Sequence, residues 1–354
     1  MSEETRTRHA PRPAPLVEVR RGPLVESRHR GHVAAVDGRG RLVARLGEPE
    51  AVTFMRSSAK PHQAIPLVAS GAADRFGFDD RELAIACASH SGQDLHAETA
   101  AGMLRKIGLD ETALKCGVHE PFDQETARLL RERGESPSIL RNNCSGKHAG
   151  MLALALHLGA SADSYDHPEG PVQQAVLRAV AQFSGLPAGE LFVGSDGCGV
   201  PVFGMPVRAM ALMYARLVAA PEDFEEPVRR AAARVVAAMR SHPEMIGGTV
   251  ERFDTKVMRA ARGRVISKVG AEGVYTAGVL PCEAWPQGLG LAFKIEDGED
   301  RRARPTVAIE CMRQLGVLNE DALGELSPYA EFPVRNHRGE IVGQIRPFFE
   351  LERV

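Results

Sequence analysis

The chain is poor in aromatic residues and has no long apolar run. Aromatic residues make up 5% of its 354 residues, and Trp285 is the single tryptophan. This composition offers little of the stacking surface that single-stranded nucleic-acid binders need. The longest apolar stretch, residues 150–158, is shorter than the roughly 20 residues that cross a bilayer. We therefore expect no transmembrane segment.

A charge excess of either sign is also missing. Lysine and arginine total 44 against 46 for aspartate and glutamate, which gives a formal net charge of -2. A chain this close to neutrality has no overall field that attracts nucleic acid or anionic lipid. Residues 1–16 lack the apolar segment of a secretory signal. We expect a cytoplasmic protein with neither a nucleic-acid nor a membrane partner.

The six cysteines are too few for a disulfide framework in a chain of this length, and we expect them to be reduced. Cys144 and Cys198 stand in polar, glycine-containing loops, whereas Cys87, Cys282 and Cys311 are expected in the core. Two thiolates, one nitrogen ligand and a water would form an open zinc site. The sequence therefore makes Cys144 and Cys198 candidate zinc ligands.

Hydrophobic periodicity predicts strands at both ends and helices between them. The alternation in residues 16–20, 32–36 and 42–46 predicts an N-terminal hairpin, with a type I′ turn at Asp37-Gly38. Ala- and Leu-rich amphipathic segments predict helices at 123–132, 147–158, 171–183, 207–217 and 223–239. Later segments predict strands at 273–280, 288–296, 332–335 and 341–346, and a helix at 301–315.

This order favours an α/β chain of the α+β type, with an antiparallel-rich sheet built from both termini and an inserted helical subdomain. We expect a disordered tail at residues 1–15 and one domain at 16–354. Within that domain, the sheet is expected from about 16–55 and 265–354, and the helical middle from about 61–262.

The first candidate for chemistry is Ser-x-x-Lys, formed by Ser57 and Lys60. On a helical turn this spacing puts both side chains on one face. A serine hydroxyl needs a base, and a lysine kept neutral by burial can act as one. Pro61 and Pro66 confine Lys60 to a first helical turn or the residue before it. The plainer alternative is a solvated helix start.

Two further segments follow in the chain: Ser-His-Ser-Gly at Ser89, and Lys-Val-Gly at Lys268. Read singly, Ser89 would be a turn residue and Lys268 a solvated strand lysine. With Ser57 and Lys60 they follow the order of the three motifs of serine β-lactamases. Together they predict an acyl-transfer enzyme.

Six segments carry a resemblance to a known family. They are Arg-Ser-Ser-Ala-Lys-Pro at 56–61, Ser-His-Ser-Gly at 89–92, Cys-Gly-Val-His at 116–119, Asn-Asn-Cys-Ser-Gly-Lys-His at 142–148, Asp-Gly-Cys-Gly-Val-Pro at 196–201 and Lys-Val-Gly-Ala-Glu-Gly at 268–273. In this order they resemble the rhizobial-type L-asparaginases, the asparaginase II family, from about residue 16 to the C-terminus.

The resemblance implies a fold similar to serine β-lactamases and glutaminases, a homodimer, and hydrolysis of L-asparagine to aspartate and ammonia. It also implies two Ser-Lys tandems, Ser57 with Lys60 and Ser89 with Lys268. We expect Ser57 to attack the amide carbon while Lys60 takes its proton, and Ser89 with Lys268 to pass a proton to the leaving ammonia.

The resemblance further implies one zinc ion per chain, bound by Cys144, Lys147 and Cys198. A lysine must lose its proton to bind zinc, and its ordinary pKa is about 10.4. Reasoning from the residues alone therefore favours His148 as the nitrogen ligand. Cys116-Gly-Val-His119 is a competing sulfur and nitrogen pair.

Free asparagine carries an α-carboxylate and an α-ammonium, so its pocket should hold a cation and an anion. We expect Arg56 and Asp196 in these roles, with Glu272 as the alternative anion. Backbone N–H groups near Ser57 or Gly270 are candidates for the oxyanion hole.

Two rival functions stay open. One is another serine acyl hydrolase of the same fold, such as a glutaminase, β-lactamase or peptidase. The other is a non-catalytic zinc or thiol sensor that uses Cys144 and Cys198 and has no amidase activity.

Overall fold

The computed structural model describes residues 12–354. Its strands are β1 (Ala14–Arg21), β2 (Leu24–Asp37), β3 (Leu42–Leu46), β4 (Val52–Phe54), β5 (Phe192–Ser195), β6 (Pro201–Pro206), β7 (Val265–Gly270), β8 (Val274–Val279), β9 (Leu289–Ile295), β10 (Phe332–Arg335), β11 (Ile341–Pro347) and β12 (Glu352–Arg353).

Helices fill most of the sequence between these strands. They are α1 (Lys60–Gln63), α2 (Ile65–Ala69), α3 (Ala72–Arg75), α4 (Asp80–Ala86), α5 (Asp94–Lys106), α6 (Gln124–Glu132), α7 (Ser145–His157), α8 (Pro171–Ser184), α9 (Val207–Val218), α10 (Glu226–Ser241), α11 (Pro243–Ile246), α12 (Phe253–Ala260), α13 (Ala303–Gln314) and α14 (Glu320–Ala330). In residues 12–354, no helix has both the length and the apolar character of a membrane span.

A nine-stranded sheet joins the two ends of the chain. Its strands run in the order β10-β11-β1-β2-β9-β8-β7, with β3 paired to β2 and β12 to β3. Every pairing in it is antiparallel. The helical region lies between its N-terminal and C-terminal strands in the sequence. The mixed α/β fold with an antiparallel sheet built from both termini is therefore confirmed.

The six predicted helices are present, as α6 to α10 and α13, with bounds that differ by a few residues. Their ends follow ordinary capping chemistry. Asp123, for example, caps α6, because its side chain accepts a hydrogen bond from the backbone N–H of Thr126 at 2.9 Å. Lys60 is the first residue of α1, as the two prolines predicted.

Three local predictions were wrong. The β2-β3 connection is a four-residue loop, residues 38–41, and Gly40 is the one residue of it with a positive φ, whereas a type I′ turn needs two. β5 and β6 lie in the middle of the chain, where only helices were expected, and with β4 they form a second sheet in the order β4-β6-β5. Cys282 is half-buried in a turn before β9 rather than in the core.

The predicted tail, residues 1–15, falls mostly outside the described residues. Residues 1–11 are not described, and β1 begins at Ala14.

Helix α9 crosses the large sheet at very close range. A Cβ atom placed at Gly290 of β9 would lie 1.8 Å from the carbonyl oxygen of Ala211 in α9. The same helix carries Tyr214, whose hydroxyl donates a 2.7 Å hydrogen bond to the carbonyl of Ser58. The contact at Gly290 therefore sets the position of the turn that contains Ser57.

We predict that Gly290→Ala lowers the free energy of unfolding by about 2 kcal/mol or more, because the added methyl group must push α9 off the sheet. Gly324→Ala in α14 is the control, because no atom lies within 4 Å of its added Cβ. That variant should match or slightly exceed wild-type stability, since alanine is the better helix former. Urea denaturation of both variants measures this, and equal midpoints would contradict the assigned contact.

Candidate active site

Ser57 lies on a tight turn at the start of the helical region. Residues Arg56–Ala59 form a 3₁₀ turn that leads directly into α1. The neighbouring Ser58 is buried, and its hydroxyl donates to the carbonyl of Met55 at 2.7 Å. Ser57 is half-buried and lines a cavity of about 500 Å³. The turn therefore holds its backbone inside the protein and presents the Ser57 side chain to the cavity.

Lys60 is buried behind this turn and contacts the second serine. Its Nζ donates hydrogen bonds to the carbonyl of Ala88 at 2.6 Å, to Ser89 Oγ at 3.0 Å and to the carbonyl of Asn143 at 3.2 Å. The Ser-x-x-Lys spacing predicted a pair of Lys60 with Ser57. In the structure, the serine hydroxyl that receives its hydrogen bond belongs to Ser89.

The loop that carries Ser89 is fixed by the segment after α11. The backbone N–H of Ser89 donates to the carbonyl of Ile246 at 3.0 Å, and Ser91 Oγ donates to the carbonyl of Gly247 at 2.7 Å. Gly248 has a φ of 147°, and a Cβ there would lie 2.0 Å from Ser91 Oγ. Only glycine fits at this contact, which brings the two segments together.

Lys268 is fully buried on β7, which packs against the 3₁₀ turn of Ser57. Its Nζ donates to the carbonyl of Val269 at 2.9 Å and lies 3.6 Å from Asp254 Oδ2. Burial lowers the pKa of Lys268 to about 7, and the Asp254 carboxylate partly opposes that shift. Lys268 therefore changes its charge near neutral pH.

Asp254 is a residue of this site that the sequence analysis missed. It is buried, accepts hydrogen bonds from Ser267 Oγ at 2.8 Å and from the Val269 N–H at 3.1 Å, and faces Lys268. No motif marks it, because α12 and β7 bring it to Lys268 only in the folded chain.

The cavity with Ser57 and Ser89 is lined by more charge than the sequence analysis expected. Its other lining residues are Phe122, Asn143, Glu251, Arg252, Phe253, Asp254, Val269, Gly270, Ala271, Asp300, Arg301, Arg304, Pro305, Tyr329 and Phe332. A larger cavity of about 710 Å³, beside β1 and β11, contains none of the predicted catalytic residues. We therefore take the cavity at the two serines as the candidate active site.

A buried group of thiols lies next to it. Cys144 precedes α7, Lys147 lies in the first turn of that helix, and Cys198 lies in the loop between β5 and β6. Lys147 Nζ donates to Cys198 Sγ at 2.9 Å. Hydrogen bonding to Cys198 lowers the pKa of Cys144 well below its ordinary value. The same hydrogen bond raises the pKa of Cys198. Burial alone would lower the pKa of Lys147, but the two neighbouring cysteines raise it.

The structure places Lys147, not His148, against Cys198. His148 is fully buried, and its Nδ1 is hydrogen-bonded to the hydroxyl of Tyr165 at 2.7 Å. Across residues 12–354, no group of three or more His, Cys, Asp and Glu side chains is arranged to hold a metal ion. The zinc ligands implied by the resemblance are two cysteines and a lysine, so they do not make a group of that kind.

The competing pair, Cys116 and His119, braces the loop before Cys144. Asn142 Nδ2 donates to the carbonyl of Cys116 at 2.9 Å, and the N–H of Asn143 donates to His119 Nε2 at 3.1 Å. Burial raises the pKa of the Cys116 thiol to about 12. Both contacts are structural ones that hold the loop in place.

Arg56 and Asp196 pair with each other. Arg56 Nε donates to Asp196 Oδ1 at 2.9 Å, and neither residue lines the cavity. Glu272, the alternative anion, is exposed and also lies outside the lining.

The arrangement suits acyl transfer. Two serine hydroxyls open into one cavity, one lysine donates to Ser89, and a second lysine with a pKa near 7 lies beside the turn of Ser57. Such groups can supply a nucleophile, a base and an acid.

Two solved structures share weak similarity with the chain. A probable glutaminase from Bacillus subtilis, complexed with 6-diazo-5-oxo-L-norleucine, has 13% identity and a TM-score of 0.38, over 81% of this chain and 85% of that chain. Mglu in its native form has 14% identity and a TM-score of 0.43, over 83% of this chain and 66% of that chain. No curated protein sequence matches this chain.

The sequence as a whole matches the family model of L-asparaginase II over residues 17–347. That range contains all six segments of the resemblance and every predicted site residue. The protein therefore belongs to the L-asparaginase II family, whose members are hydrolases acting on amide bonds.

Proposed function

We propose that this protein hydrolyses L-asparagine to L-aspartate and ammonia. For a member of this family, the observation that best supports the proposal is the hydrogen bond from Lys60 Nζ to Ser89 Oγ, in a cavity that Ser57 also lines. An unsubstituted amide is a poor leaving group, so the reaction needs a positioned acid as well as a nucleophile. Two serines with two lysines can divide those roles.

In the first step, Ser57 Oγ attacks the side-chain amide carbon and forms a C–O bond. The Ser-x-x-Lys motif predicted Lys60 as the base. Because Lys60 donates to Ser89, we reassign that role to Lys268, whose pKa of about 7 leaves it neutral in slightly alkaline solution. The C–N bond then breaks as Ser89 and Lys60 pass a proton to the departing ammonia. Water hydrolyses the aspartyl ester and restores Ser57.

We propose that one zinc ion is held by Cys144, Lys147 and Cys198. The donor set suits the ion, because two buried sulfurs and an amine lie together and the pKa of Cys144 is lowered. Without the ion the pKa values of Lys147 and Cys198 are raised, so zinc binding would have to release their protons. When bound, zinc would supply a fixed positive charge beside the cavity and order the two glycine-containing loops. A homodimer stays an expectation of the resemblance, and a cytoplasmic location stays an expectation from the sequence.

Wild-type protein should release ammonia from L-asparagine faster than from L-glutamine, and Ser57→Ala should lower kcat by about 10³-fold or more, because it removes the nucleophile. Ser70→Ala, an α2-terminal serine outside the cavity, is the control. Faster release from glutamine would favour the glutaminase alternative, and no release from either amide would favour the sensor.

The attacking serine can be identified separately with 5-diazo-4-oxo-L-norvaline, a diazoketone analogue of asparagine. Mass spectrometry should find its adduct on Ser57. An adduct on Ser89 would reverse the roles that we assign to the two serines.

The pH profile should report Lys268. We expect kcat/KM to rise through about pH 7 as its ammonium loses a proton. Asp254→Asn removes the carboxylate that opposes this loss, so the rise should move to lower pH by about one unit. Glu251→Gln, at an exposed cavity position, should leave the profile unchanged. A profile that does not move with Asp254→Asn would exclude Lys268 as the titrating base.

Zinc content tests the thiol group directly. After dialysis against zinc and then buffer, wild-type protein should retain about one equivalent by elemental analysis, and Cys144→Ala or Cys198→Ala should retain almost none. Cys116→Ala should keep its zinc, because Cys116 is assigned a bracing role. Loss of zinc in that variant would correct the ligand set. Ammonia release with and without a chelator shows whether the ion is required.

A further inference from the structure

Arg252 is a cavity residue that the proposed reaction does not yet use. Its side chain is half-buried, and it lines the cavity together with Ser57 and Ser89. Its Nη2 donates a 2.6 Å hydrogen bond to the carbonyl of Ser89. The guanidinium carbon also lies 5.7 Å from the ring centre of Phe122, over its face. The head group is therefore fixed beside the reacting serine hydroxyls.

The other charges that line the cavity have partners or face solvent. Asp254 faces Lys268, Asp300 forms an ion pair with Arg304, and Glu251 accepts a 3.0 Å hydrogen bond from the hydroxyl of Tyr329. Arg301 is exposed. Within residues 12–354, no carboxylate lies within 4.0 Å of the Arg252 guanidinium. Asp254 acts on Arg252 only at longer range and is itself paired with Lys268, so the Arg252 guanidinium has no direct ion-pair partner in this part of the chain.

Placing a guanidinium against a cavity without a direct ion-pair partner costs free energy unless a ligand supplies the negative charge. One N–H of Arg252 is used by the Ser89 carbonyl, and the planar fork of the remaining donors matches a carboxylate. Arg56, which the sequence analysis favoured as the substrate's cation, is already neutralised by Asp196.

We propose that Arg252 binds the α-carboxylate of the amino-acid substrate. This proposal rests on the proposed function and names the group that orients the substrate. Because the same guanidinium holds the backbone of Ser89, it would fix the side-chain amide of the substrate relative to both the Ser89 hydroxyl and Ser57. Arg252 is thus a substrate-binding residue, and selectivity for amides that carry an α-carboxylate follows from it.

Equilibrium titration with the product L-aspartate tests this without depending on turnover. β-Alanine, which is aspartate without its α-carboxylate, serves as the matched ligand. Arg252→Gln should weaken aspartate binding about 30-fold and leave β-alanine binding unchanged within about twofold, because only aspartate has the group that Arg252 contacts. Arg252→Lys should recover part of the aspartate affinity. Arg301→Gln, an exposed arginine of the same cavity, should bind both ligands like wild type.

Kinetics on L-asparagine add a second readout. Arg252→Gln should raise KM about 30-fold with kcat changed no more than a few-fold. Unchanged aspartate affinity, or an equal loss for aspartate and β-alanine, would overturn the proposal and leave Arg252 as a support of the Ser89 loop. A wild-type protein that binds aspartate through Arg252 but releases no ammonia would contradict the proposed function alone.

Discussion

Burying a charged side chain costs several kcal/mol unless nearby groups compensate it, and this site buries three lysines. Lys60 is surrounded by two backbone carbonyls and the hydroxyl of Ser89. Lys147 donates to Cys198 beside Cys144, whose pKa is lowered, and Lys268 faces a buried carboxylate while its pKa falls to about 7. Because the charge of each lysine is compensated by different groups, each lysine suits a different role. We propose Lys60 as the proton donor, Lys147 as a zinc ligand and Lys268 as the base.

The groups that compensate the lysine charges come from distant parts of the chain. The elements that carry them must therefore pack closely together. Asn143 and Ser89 reach Lys60 from the loops before α7 and after α4. Asp254 reaches Lys268 from α12. The missing side chains at Gly248 and Gly290 let the segments carrying these groups approach each other. Packing and electrostatics are therefore coupled, because a shift of one element would leave a buried charge without its partner.

The sequence predicted the principal elements of the fold. Periodicity located α6 to α10 and α13, and the residues of the Ser-Lys motifs do converge near one cavity. It failed for the β5-β6 hairpin and its pairing with β4, because the strands are short and β4 is far from β6 in the chain. It also missed Asp254 and Arg252, since no local spacing marks a residue whose role depends on what it faces.

By itself, the sequence determined which residue types were available and in what order, because motif chemistry and amphipathic patterns are local properties of the chain. The tertiary structure alone decided the partners. It joined Lys60 to Ser89, Arg56 to Asp196 and Lys147 to Cys198. It left Arg252 without a direct ion-pair partner among the described residues. Partner choice depends on distances of about 3 Å between segments tens of residues apart, and only the packing of helices against the sheet fixes those distances.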